Sequence, residues 1–542
     1  MLAGGSMYDF QLILKHVLEH GVRWAPKQEI VYRDLVRYTY EDLYERVHRL
    51  ASALEEIGVK KGTKVAVLDW DTHRYLECYF AVPMMGAILH NVNVRLSLED
   101  ILYTMKHAED EVVLVNREFL PLIEKIKDKL DTVKNYVILT DDEMPETDLT
   151  DLEYEEMLKK ASKDYEFPDL DEKTTATLGY TTGTTGRPKG VYFNHRQLVL
   201  HTLAVALEFA AYEDYWVSFR SNDVYMPLTP MFHVHAWGIP YVATLLGVKQ
   251  VYPGRYEPRR IAELVKKEGV TLSHCVPTIL NMVLSALKED ERLDGWKVVI
   301  GGSKLPKGLA LKAIEKGIKI TSGYGMSETC PVLTIAKLKP ELLSLSDEEK
   351  IEYYVKTGFP IPFVYLRVVK EDWKDVEPNE RDMGEIVVRA PWLTPEYLKD
   401  PEKTKELWEG GWLHTGDIAV VDKHGYVNIV DRIKDVIKSG GEWISSLTLE
   451  SLISTHPAVQ EVAVVGIPDE KWGERPLAVI VVKKEFEGKV SEEEIKKHLM
   501  KFVEEGKITK WAVPDKIVFV NEIPKTSVGK INKRALKDMF SG

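Results

Sequence analysis

The sequence is short of several things, and each shortage removes a class of protein. Cysteine occurs three times in 542 residues (Cys78, Cys275 and Cys330), too few and too scattered for a disulfide framework or a zinc site. These read as small buried hydrophobes of a reducing, cytoplasmic compartment. No run of about 18 apolar residues occurs, which argues against a membrane span. The N-terminus lacks the basic stretch and apolar core of a signal peptide. Positive charge is in deficit: the formal net charge is -13, a poor match to phosphate backbones and so to nucleic acid. Glutamine is scarce too, five in all beside many Glu and Lys, which leans towards a thermophilic source.

What is present suits a globular enzyme of more than one domain. Hydrophobic residues make up 44% and charged residues 29%, and the length exceeds what one core supports. Residues 40–57 carry apolar side chains at helical spacing and end at Gly58, a plausible C-cap. Lys64–Trp70 and Glu111–Val115 read as strands around a helical stretch, Tyr75–Gly86. That alternation, repeated after residue 155, predicts an α/β fold: a large N-terminal domain of layered α/β subdomains with a largely parallel sheet. From Gly384 the pattern turns β-rich. Asp417–Val421 and Tyr426–Val430 flank a four-residue hairpin signal, and a turn centred on 423–424 would set Asp417 near Val430, with Arg432 at the same end. A smaller α+β unit comes next, so the expected division is 1–431, a hinge at 432–435, and a mobile 436–542.

One loop stands out. Thr174–Tyr180 reads as a strand entering Thr181–Gly190 (TTGTTGRPKG), and a strand leaves at Val191. Glycines let backbone N–H groups converge on an anion, threonine hydroxyls add donors, and Lys189 adds a point charge. Thr184 offers an oxygen suited to magnesium. The loop is not a P-loop, because Pro188 stands where that motif has glycine and a strand comes after it in place of a helix. A polar hairpin loop is the plainer reading of this stretch alone.

YTTGTTGRPKGV resembles the signature loop of the adenylate-forming superfamily, which includes acyl-CoA synthetases, luciferases and peptide-synthetase adenylation domains. The resemblance covers nearly the whole chain, since Gly323–Thr329 (GYGMSET), Thr415–Gly416–Asp417, Asp431–Asp435 (DRIKD) and Pro524–Lys530 (PKTSVGK) come after it in order. It implies that Lys530, Lys189, Thr184 and Glu328 carry charge during catalysis, with Thr184 and Glu328 placing Mg2+ on ATP. It implies an ATP site built from Thr181, Thr182, Gly183, Thr185, Gly186, Gly302, Ser303, Ser322, Gly323, Tyr324 and Thr329, with Asp417 and Arg432 toward the ribose. A salt bridge is the plainer role for that last pair. Lys434 matches the hinge, Lys438 and Trp443 match nucleotide-contacting positions, and Gly440 and Gly441 lie in a flexible loop suited to the arm of coenzyme A.

His233 and His235 in MFHVHAWG lack a third ligand at metal spacing. The segment suits a wall of an acyl pocket lined by His233, Val234 and Trp237, and Trp237 resembles the tryptophan that gates the fatty-acid tunnel in fatty-acyl members. Ordinary core packing competes with that role. The chain most resembles soluble bacterial and archaeal fatty-acyl-CoA synthetases acting on medium- to long-chain acids. A ligase for an aryl or short-chain acid and a luciferase-like oxidase share its motifs. Homodimers are common among such members, and no motif here decides the point.

Overall fold

The structure is a computed structural model that describes residues 8–181, 186–212, 216–525 and 531–540. Two compact units divide the chain: Met1–Tyr365 with Arg389–Leu413, and Leu366–Val388 with His414–Gly542. The fold is mixed α/β, a large N-terminal unit and a smaller C-terminal one.

The larger unit is built on two sheets. In one, the strands Asn135–Leu139, Val112–Asn116, Lys64–Leu68, Ile88–Asn91 and Thr175–Tyr180 lie side by side and parallel, and Gly190–Asn194 returns antiparallel to Thr175–Tyr180. The other has nine strands. Its centre runs parallel through Lys249–Tyr252, Val224–Pro227, Leu272–Cys275, Lys297–Ile300 and Lys319–Gly325. These central strands are buried on successive residues, polar ones such as Gln250, Ser273 and His274 included, as expected of a parallel sheet covered on both faces. Trp296, Val298, Ile300, Ile318 and Ile320 sit in one buried cluster with the helices Pro258–Glu268 and Lys307–Glu315. The helix Tyr40–Glu56 begins with a capping box between Thr39 and Asp42, and buries Leu43, Val47, Leu50 and Leu54 at helical spacing.

The smaller unit carries the β-rich segment and the C-terminal α+β elements. Leu413–Val421 and Val427–Arg432 form the expected hairpin with a shifted register: Asp417 pairs with Arg432 instead of Val430. The turn is one residue longer than the simple count, and a bulge between Ile418 and Ala419 leaves one further residue unpaired on the returning strand. A second difference concerns residues 438–443. They form no open loop: Ile437–Ser439 and Glu442–Ile444 pair as a tight hairpin in which Lys438 faces Trp443. Gly440 and Gly441, at φ 61° and 85°, supply the two left-handed positions such a turn requires.

Candidate active site

Parallel strands deliver loops from their C-terminal ends, and four neighbours in the nine-stranded sheet do so around one cavity. Leu272–Cys275 contributes His274, Lys297–Ile300 leads to Gly301 and Gly302, and Lys319–Gly325 ends in Gly323, Tyr324 and Gly325. Val224–Pro227 leads into Met231–Gly238, which supplies His233, Val234 and Trp237 to the same wall. The cavity is mostly apolar, with a volume of about 50 Å³. Of the expected positions, Gly302, Gly323, Tyr324, His233, Val234 and Trp237 therefore meet in one place. Ser303 is exposed beside Gly302, while Ser322 is buried in the strand Lys319–Gly325 and Thr329 in the short helical turn after it.

The segment Val234–Gly238 is wound left-handed, with φ between 45° and 73° at five successive residues. For L-residues this costs roughly 1–2 kcal/mol apiece, and such strain persists only where surroundings over-determine it. Here they do. Asp71 accepts from the Met231 amide at 2.9 Å and from the Tyr256 hydroxyl, and the Tyr79 hydroxyl donates to the Met231 carbonyl. The His235 ring meets the Thr177 hydroxyl at 2.8 Å, and Trp237 is 9% exposed. Burial pushes the carboxyl of Asp71 up to about 7 and holds His201, His235 and His274 down at about 3, so these three rings are neutral.

The glycine- and threonine-rich loop is closed at its base. The Thr181 amide donates to the Lys189 carbonyl at 2.9 Å, and the Lys189 amide donates to the Thr181 hydroxyl at 3.1 Å. Gly186 is exposed at φ 97°. Thr182, Gly183, Thr184, Thr185 and Lys530 lie outside the described residues. Lys189 sits with its ammonium 4.3 Å from the centre of the Tyr397 ring, and the Tyr397 hydroxyl donates to Glu328 at 2.6 Å. Glu328 is buried, and the Thr394 amide holds its carbonyl. Burial and the adjacent Glu328 carboxylate push the Tyr397 phenol far up, so it remains a donor. Tyr397 thus joins two residues 139 positions apart (328 − 189). Sequence reading missed it, because a lone tyrosine in LTPEYLKD carries no local signal.

In the smaller unit, Arg432 Nε contacts Asp417 at 2.7 Å, with Asp417 buried and Arg432 exposed. The salt bridge considered from sequence therefore forms. Lys434 is exposed in the turn after that hairpin. The Lys438 ammonium lies 5.0 Å from the Trp443 ring centre and pairs with Glu371, while Gly440 packs beside Trp472.

The family model of AMP-binding enzymes matches residues 18–398, and that of the AMP-binding enzyme C-terminal domain matches residues 448–530. The chain belongs to the AMP-binding enzyme family. A long-chain-fatty-acid–CoA ligase of Thermus thermophilus is 43% identical, covering 99% of this chain and 97% of that one. A 3-methylmercaptopropionyl-CoA ligase of Ruegeria lacuscaerulensis is 36% identical, covering 99% and 98%. Among solved structures, a fatty acyl CoA synthetase of Mycobacterium tuberculosis superposes with a TM-score of 0.74 at 26% identity, over 98% of each chain. This AMP-binding enzyme is an AMP-forming acyl-CoA ligase, and ATP and coenzyme A fit the family as its substrates. Among the described residues no helix is long and apolar enough to cross a membrane.

Proposed function

We propose that the ligase activates medium- to long-chain fatty acids, and that the cavity beside Trp237 receives the acyl chain. The observation that carries this reading is the shared wall: one apolar cavity touches both Trp237 and the Gly323–Tyr324–Gly325 strand end. An acyl chain and the nucleotide joined to its carboxyl need such a meeting point.

In the first half-reaction a carboxylate oxygen of the acid attacks the α-phosphorus of ATP, and pyrophosphate leaves. Lys189, steered by the Tyr397 ring, offsets phosphate charge, and Lys530 bridges carboxylate and α-phosphate as charge builds. Glu328 suits Mg2+, since its buried carboxylate is a hard oxygen donor with one oxygen held by Tyr397. Thr184 would be its companion ligand. When bound, the ion would neutralise charge on the ATP phosphates. Gly302, Ser303, Ser322 and Thr329 flank the adenine, Tyr324 stacks on it, and Asp417 with Arg432 holds the ribose. In the second half-reaction the coenzyme A thiolate attacks the acyl carbonyl and AMP leaves. Residues 436–542 turn about a hinge at 432–435, withdrawing Lys530 and bringing Gly440–Gly441 to the thiol arm. Lys438 and Trp443 act from the same hairpin. A cytoplasmic homodimer completes the proposal.

A second reading rests on cavity size. The cavity leaves only about 50 Å³ for the centres of water-sized spheres, and Trp237 forms part of its wall. A short acid needs little more room, whereas a long chain requires Trp237 to move. A panel of straight-chain, aryl and thioether acids, read by pyrophosphate release with and without coenzyme A, separates the two. Activity peaking at C8 or longer is expected, and a peak at C4 or below would replace the fatty-acid reading by the short-acid one.

A further inference from the structure

We propose that His274 is a positioning residue that sets the chain length accepted, by forming the seat on which the Trp237 indole rests. The inference rests on the acyl-cavity reading above and adds a residue to it. Trp237 is clamped from two sides. A Cβ on Gly301 would lie 2.7 Å from the indole Cη2, so the ring rests against bare backbone there. Against it lies the His274 ring, with centroids 4.9 Å apart and planes 34° from parallel.

His274 is itself immobilised. Its Nε2 meets the Tyr225 hydroxyl at 2.7 Å and its Nδ1 meets the Thr229 hydroxyl at 3.1 Å. A neutral imidazole has one donor and one acceptor nitrogen, and both are used. The Tyr225 ring lies beside it edge to edge, centroids 5.7 Å apart and planes 13° from parallel, as their hydrogen bond requires. The strand register explains the arrangement. His274 pairs with Pro227 and Leu272 with Tyr225 on parallel strands, so Tyr225 and His274 project from the same face, two residues apart. Tyr225, His274 and Trp237 thus form a contiguous row of rings leading from the sheet to the cavity, the first two 0% and 1% exposed. A chain longer than the cavity must lift Trp237 off His274, losing aromatic contact and exposing a buried ring.

The test compares kcat/KM across straight-chain acids for the wild type, His274→Ala, Trp237→Ala and the double variant, each checked for its melting temperature. For His274→Ala, kcat/KM should rise about tenfold for acids two carbons beyond the wild-type optimum, carried by KM rather than kcat. In the Trp237→Ala background the same substitution should add no further shift, because both act through one ring. A shifted profile in Trp237→Ala with an unshifted one in folded His274→Ala overturns the role of His274 and leaves the cavity reading intact. Unshifted profiles in both overturn the cavity reading and this proposal with it. If His274→Ala does not fold, Tyr225→Phe carries the test: it frees the ring with little loss of volume and should move the profile the same way by about threefold. No movement there overturns the proposal.

Discussion

At Tyr397 two different chemistries meet on one side chain. The π face holds the Lys189 ammonium and the hydroxyl holds the Glu328 carboxylate, so a cation and an anion stay close without neutralising each other in a direct salt bridge. Both charges then remain available to a polyphosphate and its counter-ion. Tyr397→Phe keeps the ring and removes the donor, freeing Glu328 to swing toward Lys189. Pyrophosphate release should fall about 10- to 100-fold while stability drops by only about 1 kcal/mol. Stopped-flow pyrophosphate assays beside urea melts would check this, and an unchanged rate would reduce Tyr397 to packing. Residue-level reading of the sequence reached Lys189 and Glu328 because each lies in a motif. Their connector was illegible, since it comes from a separate stretch brought in by folding.

The left-handed Val234–Gly238 turn is the element on which the cavity depends, and Asp71 holds its entry. Asp71 is 2% exposed and its carboxyl sits at about 7, against an ordinary 3.8, because burial disfavours its charged form. In the unfolded chain it ionises near 3.8. Between that pH and about 7 the native state therefore keeps a proton that the unfolded state loses. The stability this group contributes is full below about 3.8 and falls as pH rises to about 7. Asp71→Asn cannot ionise, so its stability relative to wild type should climb across that window by up to about 1.4 kcal/mol per pH unit, then level off. Urea unfolding at pH 5, 6, 7 and 8 reads the trend, and a flat difference would mean Asp71 is charged in the fold. The hairpin at Asp417 teaches a related lesson. Its existence was readable from alternation and a turn signal. Its bulge was not, because a bulge shows no residue type of its own, and with the longer turn it moved the partner of Asp417 by two places, one from each.

For the whole molecule, the two half-reactions give the most discriminating prediction. Lys530→Ala should lower adenylate formation at least about 100-fold. Thioester formation from supplied acyl-adenylate and coenzyme A should stay within about threefold of wild type. Equal loss in both steps would remove Lys530 from the charge-bridging role. The reason for separate roles is chemical: attack on phosphorus needs cations beside the α-phosphate, whereas attack on the carbonyl needs room for a thiol. The compact units carry their proposed parts separately, Lys189, Glu328 and the cavity in the larger one, and Asp417, Arg432 and the Gly440–Gly441 hairpin in the smaller.

Sequence alone determined the features that arise from local chemistry and spacing. The alternation of apolar runs and helical patterns specified a layered α/β body, because burial on two faces leaves that signature. The chemistry of the glycine-, threonine- and lysine-rich loop indicated an anion-binding turn, and the resemblance of that loop and the ordered motifs to known ones indicated the family. Tertiary structure decided the rest. Whether His233, Val234 and Trp237 line a cavity or simply fill a core depends on which strand ends converge there, and four did. That Trp237 rests on Gly301 and His274, and that Tyr397 joins Lys189 to Glu328, depends on contacts between residues far apart in the chain. Spacing along a sequence carries no record of such contacts, because they are set by strand order and by packing.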